Sequence, residues 1–427
     1  MNKNIPKKRK SGAQFSDQKT INRRLLNKQI VCLKEQLERI RTLEVIVTVV
    51  GTMKAGKSTC INTIVGREIL PNRSRPMTSL PTLVRHKAGC HKPMLYFANT
   101  YPVQRLIGKL GTALNRVSKV RSNIIDSSKE LANLATRIRR GFTLKERYRG
   151  EIEIFSFLRS LNDLVRLAEI FNIDFPFDQF TELESFPLIE VEFTHLGQRD
   201  VLGHRGNIAL LDTPGANEAG QSEHLRKIVK DQLQRANAVL AVIDYTQLKS
   251  ESEAELIAEL RQIAEAAEGR IFALVNKFDC RSEHSDNAGD TIDYVSRTLL
   301  DGIVPADHVF PVSAAQAFLA QRARSEMLQN QSLNWTESKN RDWRDDFGRL
   351  AFGSRYARFM NDTDAIHQAI EDLWAASMFE KPLEDIVHYS QISAVKFAVD
   401  STLSCLQTIA DLLADDGEAR VAKLEYI

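Results

Sequence analysis

The chain has 427 residues, of which 43% are hydrophobic, so it is long enough for two or three domains with at least one full-sized apolar core. Its formal net charge of +3 gives no global argument for nucleic-acid binding, and its five scattered cysteines do not form the pattern of a disulfide framework. The sequence shows no signal peptide and no apolar run long enough to span a bilayer, so we expect a cytoplasmic protein with reduced thiols.

The first 44 residues divide into a polar tail and an amphipathic helix. Residues 1–16 predict a disordered tail whose basic run, Lys7 to Lys10, either contacts anionic lipid or nucleic acid or is simply solvated. In residues 17–44, apolar side chains recur in alternating steps of four and three, as in a coiled coil: Leu26, Ile30, Leu33, Leu37 and Ile40. Because a single apolar stripe must be covered, we expect this helix to dock on another helix of this chain or of a partner.

A glycine-containing loop follows the apolar run at residues 45–50 and precedes a predicted helix at residues 59–65. Its residues are Gly51, Thr52, Met53, Lys54, Ala55, Gly56, Lys57 and Ser58. Strand, loop and helix in this order predict a phosphate-binding loop, in which backbone N–H groups and the helix N-terminus face the phosphates. Lys57 would reach the β- and γ-phosphates, the Ser58 hydroxyl would bind Mg²⁺, and Thr59 completes the expected contacts. The alternative, a turn that merely closes a βα unit, requires neither Lys nor Ser.

The segment after this helix predicts a loop and then a helical insertion. Residues 70–78 contain two prolines and cannot lie inside a helix, so we expect a loop near the phosphates. Residues 80–85 predict a strand, with residues 94–97 as its candidate partner. Two amphipathic stretches then predict a helical insertion at about residues 100–185; their apolar positions are Leu110, Leu114, Val117, Ile124, Leu131, Leu134 and Ile138, followed by Phe155, Leu158, Leu161, Leu164 and Leu167.

Short apolar runs alternate with helical segments in the second half of the chain. They cover residues 208–211, 239–244, 271–275 and 309–312, and before them Ile189, Val191 and Phe193 alternate with polar residues as in a strand. The alternation of apolar runs with helical segments predicts an α/β fold with a mostly parallel sheet covered by helices on both faces, and assigns residues 45–330 to one nucleotide-binding domain. Residues 331–427 are predicted to be helical, with apolar stripes at residues 366–373 and 392–413.

Polar residues that follow the last two apolar runs predict the base-binding part of the site. Asp279 can accept hydrogen bonds from the N1–H and the amino group of guanine, and because adenine presents no such pair of donors, an ATPase is disfavoured. Asn276 would join this loop to the phosphate loop, and the Lys277 stem would cover the base. The backbone at Ser313 and Ala314 would contact the guanine carbonyl.

The run at residues 208–211 leads into a further short motif with two expected nucleotide contacts. Asp212 would hold Mg²⁺ through a water molecule, and the N–H of Gly215 would face the γ-phosphate. Each of these short motifs also occurs as an ordinary turn. Along the chain, the phosphate loop is followed by residues 212–215, residues 276–279 and residues 313–314, each directly after a predicted strand. Together these four motifs predict a GTP site.

In these motifs the sequence resembles the dynamin-like GTPases, which are P-loop GTPases with flanking helices that build a bundle and stalk. The resemblance extends from the first predicted helix to near Phe379 and is carried by residues 51–58, 70–78, 211–215, 244–250 and 276–279. It implies GTP hydrolysis with Mg²⁺, and it implies that Thr78 binds the ion and orients the attacking water. It also implies that residues 17–44 and 331–427 contribute to the bundle and the start of a stalk.

The residues expected to promote hydrolysis depart from two known patterns. Small GTPases place a Gln directly after the switch glycine, and Ala216 occupies that place here. The resemblance implies instead that two G domains dimerise across the nucleotide, often with a monovalent cation. Met53 and Lys54 stand where dynamins commonly have Gln and Ser, and Lys54 resembles the arginine finger of guanylate-binding proteins. Lys54 therefore either supplies a positive charge to its own site or points to solvent.

Two functional interpretations remain open. The first is a mechanochemical GTPase that remodels or tethers a peripheral anionic membrane, such as the inner membrane, or another assembly; the second is a slow GTP switch that recruits a protein partner, for example in replication. The bacterial branch that the chain resembles includes a DNA-clamp-binding protein, and the resemblance implies that the clamp is bound by a Gln-x-x-Leu segment before the first helix. Residues 1–20 contain no convincing segment of this kind, so clamp binding is not expected. Because the chain ends shortly after its last apolar stripe, we expect either a truncated form or a second polypeptide that completes the stalk.

Overall fold

The computed structural model describes residues 45–51, 54–71, 80–194, 208–214, 223–248, 270–283, 285–333, 335 and 342–386, with residues 30, 33, 34, 261, 388, 399, 402–411, 413 and 414. The chain divides into two compact units, Val45–Ser390 and a unit made of Met1–Glu44 with Gln391–Ile427. The predicted basic tail and most of the predicted first helix lie outside the described residues.

Nine strands form one sheet in the order β4-β3-β5-β2-β6-β1-β7-β8-β9. They are β1 Val45–Gly51, β2 Thr82–His86, β3 Met94–Tyr96, β4 Arg147–Arg149, β5 Leu188–Val191, β6 Ile208–Asp212, β7 Ala238–Asp244, β8 Ile271–Asn276 and β9 Val309–Pro311. Strands β6, β1, β7, β8 and β9 are all parallel to their neighbours in that series. Every residue of β1, β7 and β8 is buried, which explains why these strands are continuous apolar runs. The predicted α/β fold with a mostly parallel sheet is confirmed.

The helices of the Val45–Ser390 unit connect these strands and continue after β9. They include α1 Lys57–Val65, α2 Tyr101–Leu114, α3 Lys119–Asp126, α4 Lys129–Arg139, α5 Glu151–Phe171, α6 Glu223–Arg235, α7 Ala288–Asp293, α8 Ala314–Asn330, α9 Trp343–Phe352 and α10 Thr363–Ala376. Residues 402–411 of the second unit are also helical. None of the helices described is both long and apolar enough to cross a bilayer.

The predicted pairing of residues 80–85 with residues 94–97 is wrong. Strand β2 pairs in parallel with β5 and antiparallel with β6, so that Thr82 lies opposite Asp212. Strand β3 pairs antiparallel with β4 and β5 instead. The short connection between β2 and β3 suggested a hairpin, but their pairing partners lie far along the chain.

The insertion between β3 and β5 contains helices α2, α3, α4 and α5, which pack against one another. Ser118 and Ser128 cap α3 and α4 by accepting hydrogen bonds from backbone N–H groups, so the apolar stripe predicted over residues 110–138 is divided among three helices. As a result Ile125 is buried while the predicted Ile124 is 47% exposed. Aromatic rings join α5 to the sheet edge, with Phe97 between Phe157 at 5.3 Å and Phe180 at 5.9 Å.

The helices after β9 belong to the same compact unit as the sheet. Helix α8 packs against α1 and α10, and the predicted stripe at residues 366–373 is buried on α10. Arg322 on α8 donates to Glu68 at 2.8 Å and stacks on the Trp343 ring at 4.5 Å. Burial lowers the pKa of Arg322, and the nearby Glu68 carboxylate opposes that shift. In the second unit Leu403 and Leu406, from the stripe predicted at residues 392–413, are 59% and 48% exposed.

Candidate nucleotide-binding site

The two glycines of the predicted phosphate loop are held against neighbouring backbone and side-chain atoms. Gly51 ends β1 with φ +149°, and a Cβ there would come within 2.2 Å of the Val242 carbonyl oxygen in β7. Gly56 has φ +95°, and a Cβ there would come within 2.2 Å of Asn276 Nδ2. Both positions therefore require glycine for close approach as well as for backbone conformation.

The phosphate loop leads directly into α1. Lys57 is buried and its Nζ donates to the Gly51 carbonyl at 3.0 Å, so its side chain folds back over the loop. Gly56 precedes α1 without a side chain to cap the helix, which leaves the first backbone N–H groups of α1 suited to an anion. Ser58 and Thr59, at the start of α1, are partly exposed.

The middle of the loop is described only in part. Lys54 is exposed and has φ +66°, a left-handed conformation that non-glycine residues rarely adopt. The next residue, Ala55, is fully buried. Thr52 and Met53 lie outside the described residues.

Asn276 joins three parts of the site. It ends β8, is 4% exposed, and donates from Nδ2 to the Ala55 carbonyl at 2.8 Å. Its Oδ1 accepts from the Ala314 N–H at 3.0 Å, at the start of α8. Because one amide satisfies a buried acceptor and a buried donor, it fixes the base loop, the phosphate loop and α8 relative to one another.

The residues next to Asn276 form a turn at the carboxyl edge of the sheet. Lys277 has φ +65°, and its Nζ is 2.5 Å from Asp244 Oδ2, at the end of β7. Asp244 also accepts from the N–H and hydroxyl of Thr246 through Oδ1. Asp279 is exposed in the short helical turn that follows, so its carboxylate is accessible to a ligand.

Ser313 and Ala314 use both of their backbone N–H groups within the protein. The Ser313 N–H donates to the Ser377 carbonyl at 2.9 Å, and its hydroxyl accepts from the Gln316 N–H at 3.3 Å, capping α8. The Ala314 N–H is bound to Asn276 Oδ1. A backbone contact of this pair with a guanine carbonyl therefore requires a shared hydrogen bond or a local rearrangement.

Asp212 lies at the same edge as the phosphate loop. It ends β6, pairs in register with Val49 of β1, and is 3% exposed. Thr213 fixes the following backbone, because its hydroxyl donates to the Val49 carbonyl at 2.7 Å. A serine hydroxyl and a carboxylate are oxygen donors of the kind that Mg²⁺ prefers, so Ser58 and Asp212 fit that ion. Thr78, Gly215 and Ala216 lie outside the described residues.

The sequence model of the Dynamin family matches residues 47–278, which is more than half of the chain and includes most of β1, the phosphate loop, Asp212 and Asn276. The chain belongs to the Dynamin family. It therefore carries the GTPase domain of that family.

Two curated relatives and two solved structures extend this comparison. The chain is 42% identical over 371 residues to the clamp-binding protein CrfC of Escherichia coli and to the same protein of Escherichia coli strain K12; the match covers 86% of this chain and 49% of theirs. This dynamin-family chain thus spans about half the length of the curated relatives it matches. Two structures described as an oligomerised bacterial dynamin pair for long-range sensing and tethering of membranes align at 16% identity and a TM-score of 0.38, over 96% of this chain and 52% and 53% of theirs.

Sequence reasoning gave no individual role to three polar residues of this dynamin-family GTPase domain, although Thr213 and Asp244 lie in motifs that carry the resemblance. Asp244 orients Lys277, Thr213 fixes the backbone beside β1, and Asn62 of α1 accepts from the N–H groups of Ile69 and Leu70. The rule that selected Asp212 and Asn276, a polar residue at the end of an apolar strand, also selects Asp244. No comparable local pattern marks Asn62.

Proposed function

We propose that this dynamin-family GTPase binds GTP with Mg²⁺ and hydrolyses it to GDP and phosphate, and that dimerisation of two G domains across the nucleotide moves the flanking helices. The observation that carries the proposal is the double hydrogen bond of Asn276 to Ala55 and Ala314. This bond couples the loop that would hold the base to the loop that would hold the phosphates, so both ends of one nucleotide meet a single rigid frame.

Lys57 and the N-terminus of α1 would bind the phosphates, with backbone N–H groups from Gly51 to Thr59 around them. Ser58 and Thr78 would hold Mg²⁺ directly and Asp212 through a water molecule; the bound ion would neutralise charge on the β- and γ-phosphate oxygens. The Gly215 N–H would contact the γ-phosphate and respond to its release.

Guanine recognition is assigned to Asp279, whose exposed carboxylate would accept from the N1–H and amino group of the base. Lys277 would cover the base with its methylene stem, because its Nζ is already held by Asp244. An adenine base would leave the Asp279 carboxylate without these donors, which lowers affinity for ATP.

Lys54 is the proposed source of positive charge beside the bond that breaks during hydrolysis. Water attacks the γ-phosphorus as the bond to the oxygen of GDP breaks, and negative charge accumulates on that oxygen. Lys54 is exposed on the loop that would surround the phosphates, and G-domain dimerisation would turn its side chain toward them. It would then replace the monovalent cation that other family members use.

The proposed output is remodelling or tethering of a membrane or of a protein assembly by the moving helices. The alternative output is a slow GTP switch that recruits a replication-associated protein, and the 42% identity to a clamp-binding protein supports keeping it.

The decisive experiment measures GTP turnover against protein concentration, with and without anionic vesicles. A turnover rate per molecule that rises steeply with concentration, and rises again with vesicles, supports the dimerising, membrane-linked GTPase. A slow rate that is independent of concentration and vesicles supports the switch, and no GTP turnover under any condition contradicts both. The same series with Lys54→Ala tests the proposed charge: an unchanged rate, without any new dependence on K⁺ or Na⁺, contradicts its role.

A further inference from the structure

The first half of the helical insertion is strongly basic. Residues 101–150 contain twelve Lys and Arg residues but only three Asp and Glu residues, in a chain whose formal net charge is +3. The rest of the chain therefore carries more acidic than basic side chains. A concentration of positive charge on one structural element attracts anionic partners far more strongly than the net charge of the whole chain indicates.

Four of these cations lie just after α2, at the start of α3 and at the C-terminal end of α4, and two exposed apolar side chains lie on α3. We call this set the basic–apolar patch: Arg116, Lys119, Val120, Ile124, Arg139 and Arg140. All six side chains are exposed, Val120 by 70% and Ile124 by 47%. Among the residues that the structure describes, none of the four cations has an acidic partner within ion-pair distance.

The packing of the insertion keeps the patch together. The Arg139 guanidinium donates to the Leu114 carbonyl at 3.4 Å, which brings the end of α4 to the end of α2, two residues before Arg116. On α3, Ile125 is buried and Arg121 lies 5.6 Å from the Phe171 ring of α5. These two contacts fix one side of α3 to the bundle.

Val120 and Ile124 are one helical turn apart and therefore share a face of α3. Isolated exposed apolar side chains are common on protein surfaces and need no partner. A pair on one face of a helix that begins with Lys119, in an insertion rich in arginine, has the composition of an interfacial helix, in which cations meet lipid headgroups and apolar side chains enter the acyl boundary.

We propose that the basic–apolar patch docks this GTPase onto an anionic lipid surface. The inference rests on the proposed membrane-linked function and deepens it by naming the surface that makes contact. Nucleic acid also presents phosphates, but the patch contains no aromatic ring for base stacking, and Val120 and Ile124 add nothing to phosphate binding. The apolar pair therefore favours lipid over nucleic acid.

The test measures partitioning of the whole chain onto vesicles by sedimentation, without nucleotide, using vesicles with about 30% phosphatidylglycerol and vesicles of phosphatidylcholine alone. Each cation near an anionic surface raises the vesicle partition coefficient by roughly fivefold. The double variant Lys119→Glu with Arg140→Glu should therefore lower that coefficient by at least about 25-fold. Val120→Ser with Ile124→Ser should lower it by about tenfold, because two apolar side chains no longer leave water.

The matched control is Arg355→Glu with Arg358→Glu, two exposed arginines of a short helical turn in the same compact unit. This control should stay within about twofold of the unmodified chain. All three variants change surface residues only, so their GTP turnover without vesicles should be unchanged, which also reports that they are folded.

Three results would overturn the proposal: no preference of the unmodified chain for anionic vesicles, unchanged partitioning of either patch variant, or an equal loss in the control. Loss of duplex DNA binding in the charge variant, without any vesicle binding, would assign the patch to nucleic acid instead. Because partitioning is measured without nucleotide, absence of GTP turnover would contradict the proposed function and leave this test unaffected.

Discussion

The sheet has two halves that are stabilised in different ways. The nucleotide half is made of β6, β1, β7, β8 and β9, which are all parallel. In this half, buried polar side chains such as Asn276 and Thr213 form hydrogen bonds with backbone groups of other strands and loops. In the outer half, made of β2, β5, β3 and β4 with the insertion at residues 101–171, antiparallel pairs predominate and aromatic rings such as Phe97 join the helices to the sheet edge.

The two kinds of contact differ in how precisely they position the groups that they join. A hydrogen bond from a buried side chain to a specific backbone atom fixes distance and direction, whereas apolar packing tolerates side-chain rearrangement as long as volume is conserved. The nucleotide half thus holds the loops that must bind a ligand at defined positions. The outer half presents a surface, including the basic–apolar patch, whose positions need less precision.

The largest effect is expected at a glycine of the nucleotide half. Gly56→Ala places a Cβ 2.2 Å from Asn276 Nδ2 at φ +95°, so the loop or the Asn276 amide must shift, which disrupts the Asn276 bond to Ala55. We expect a loss of about 2–4 kcal/mol in the free energy of unfolding and at least about a 100-fold loss of GTP affinity. Denaturant titration without nucleotide and binding of a fluorescent GTP analogue measure these two quantities.

The outer half supplies the matched control for this substitution. Gly141→Ala imposes the same kind of backbone strain at φ +87°, but a Cβ there meets no atom within 4 Å. We expect the free energy of unfolding to fall by about 1–2 kcal/mol because of backbone strain alone, and GTP affinity to stay unchanged. Equal losses of GTP affinity in the two variants would show that close approach at Gly56 is not what shapes the site.

The two halves also differed in how well the sequence predicted them. The strands of the nucleotide half were predicted because each is a buried apolar run, and its polar site residues because they end those runs. In the outer half, β2 pairs with residues about a hundred positions away, and no local pattern encodes that choice. Strand β4, three residues of which two are exposed arginines, carries no apolar signal at all.

Within the site, residue types could be predicted but their mutual contacts could not. Asn276 follows an apolar run, yet its bond to Ala55 spans 221 positions and depends on how β1 and β8 are placed around β7. Likewise, the Ser313 N–H is bound to the Ser377 carbonyl and the Ala314 N–H to Asn276 Oδ1, and sequence spacing specifies neither partner.

A smaller effect is expected when either of two buried asparagines, at opposite edges of the nucleotide half, is replaced by alanine. Asn276→Ala leaves the Ala55 carbonyl and Ala314 N–H without their partner, and Asn237→Ala does the same to the Ile46 N–H near the amino end of β1. Each should lower the free energy of unfolding by about 1–3 kcal/mol. Only Asn276→Ala should also weaken GTP binding, by at least about tenfold, because only Asn276 supports the ligand loops.

Calorimetric titration with GTP and denaturant titration, run on both asparagine variants, separate these contributions. A similar loss of GTP affinity in Asn237→Ala would mean that affinity follows general stability, and the distinction between the two edges of the sheet would then fail.

The smallest effect concerns a thiol inside α1. Cys60 is fully buried, and burial raises its pKa from 9.0 to about 12, so the folded chain keeps the thiol protonated where the unfolded chain releases the proton. The contribution of the protonated Cys60 thiol to the free energy of unfolding is therefore complete below pH 9, and it is lost as the pH rises toward 12. Between pH 8 and pH 10 we expect the free energy of unfolding of the unmodified chain to fall by about 1.4 kcal/mol more than that of Cys60→Ala. The variant should lose about 1 kcal/mol at pH 8 from the small cavity, and identical pH slopes in the two chains would show that the nucleotide half admits water to α1.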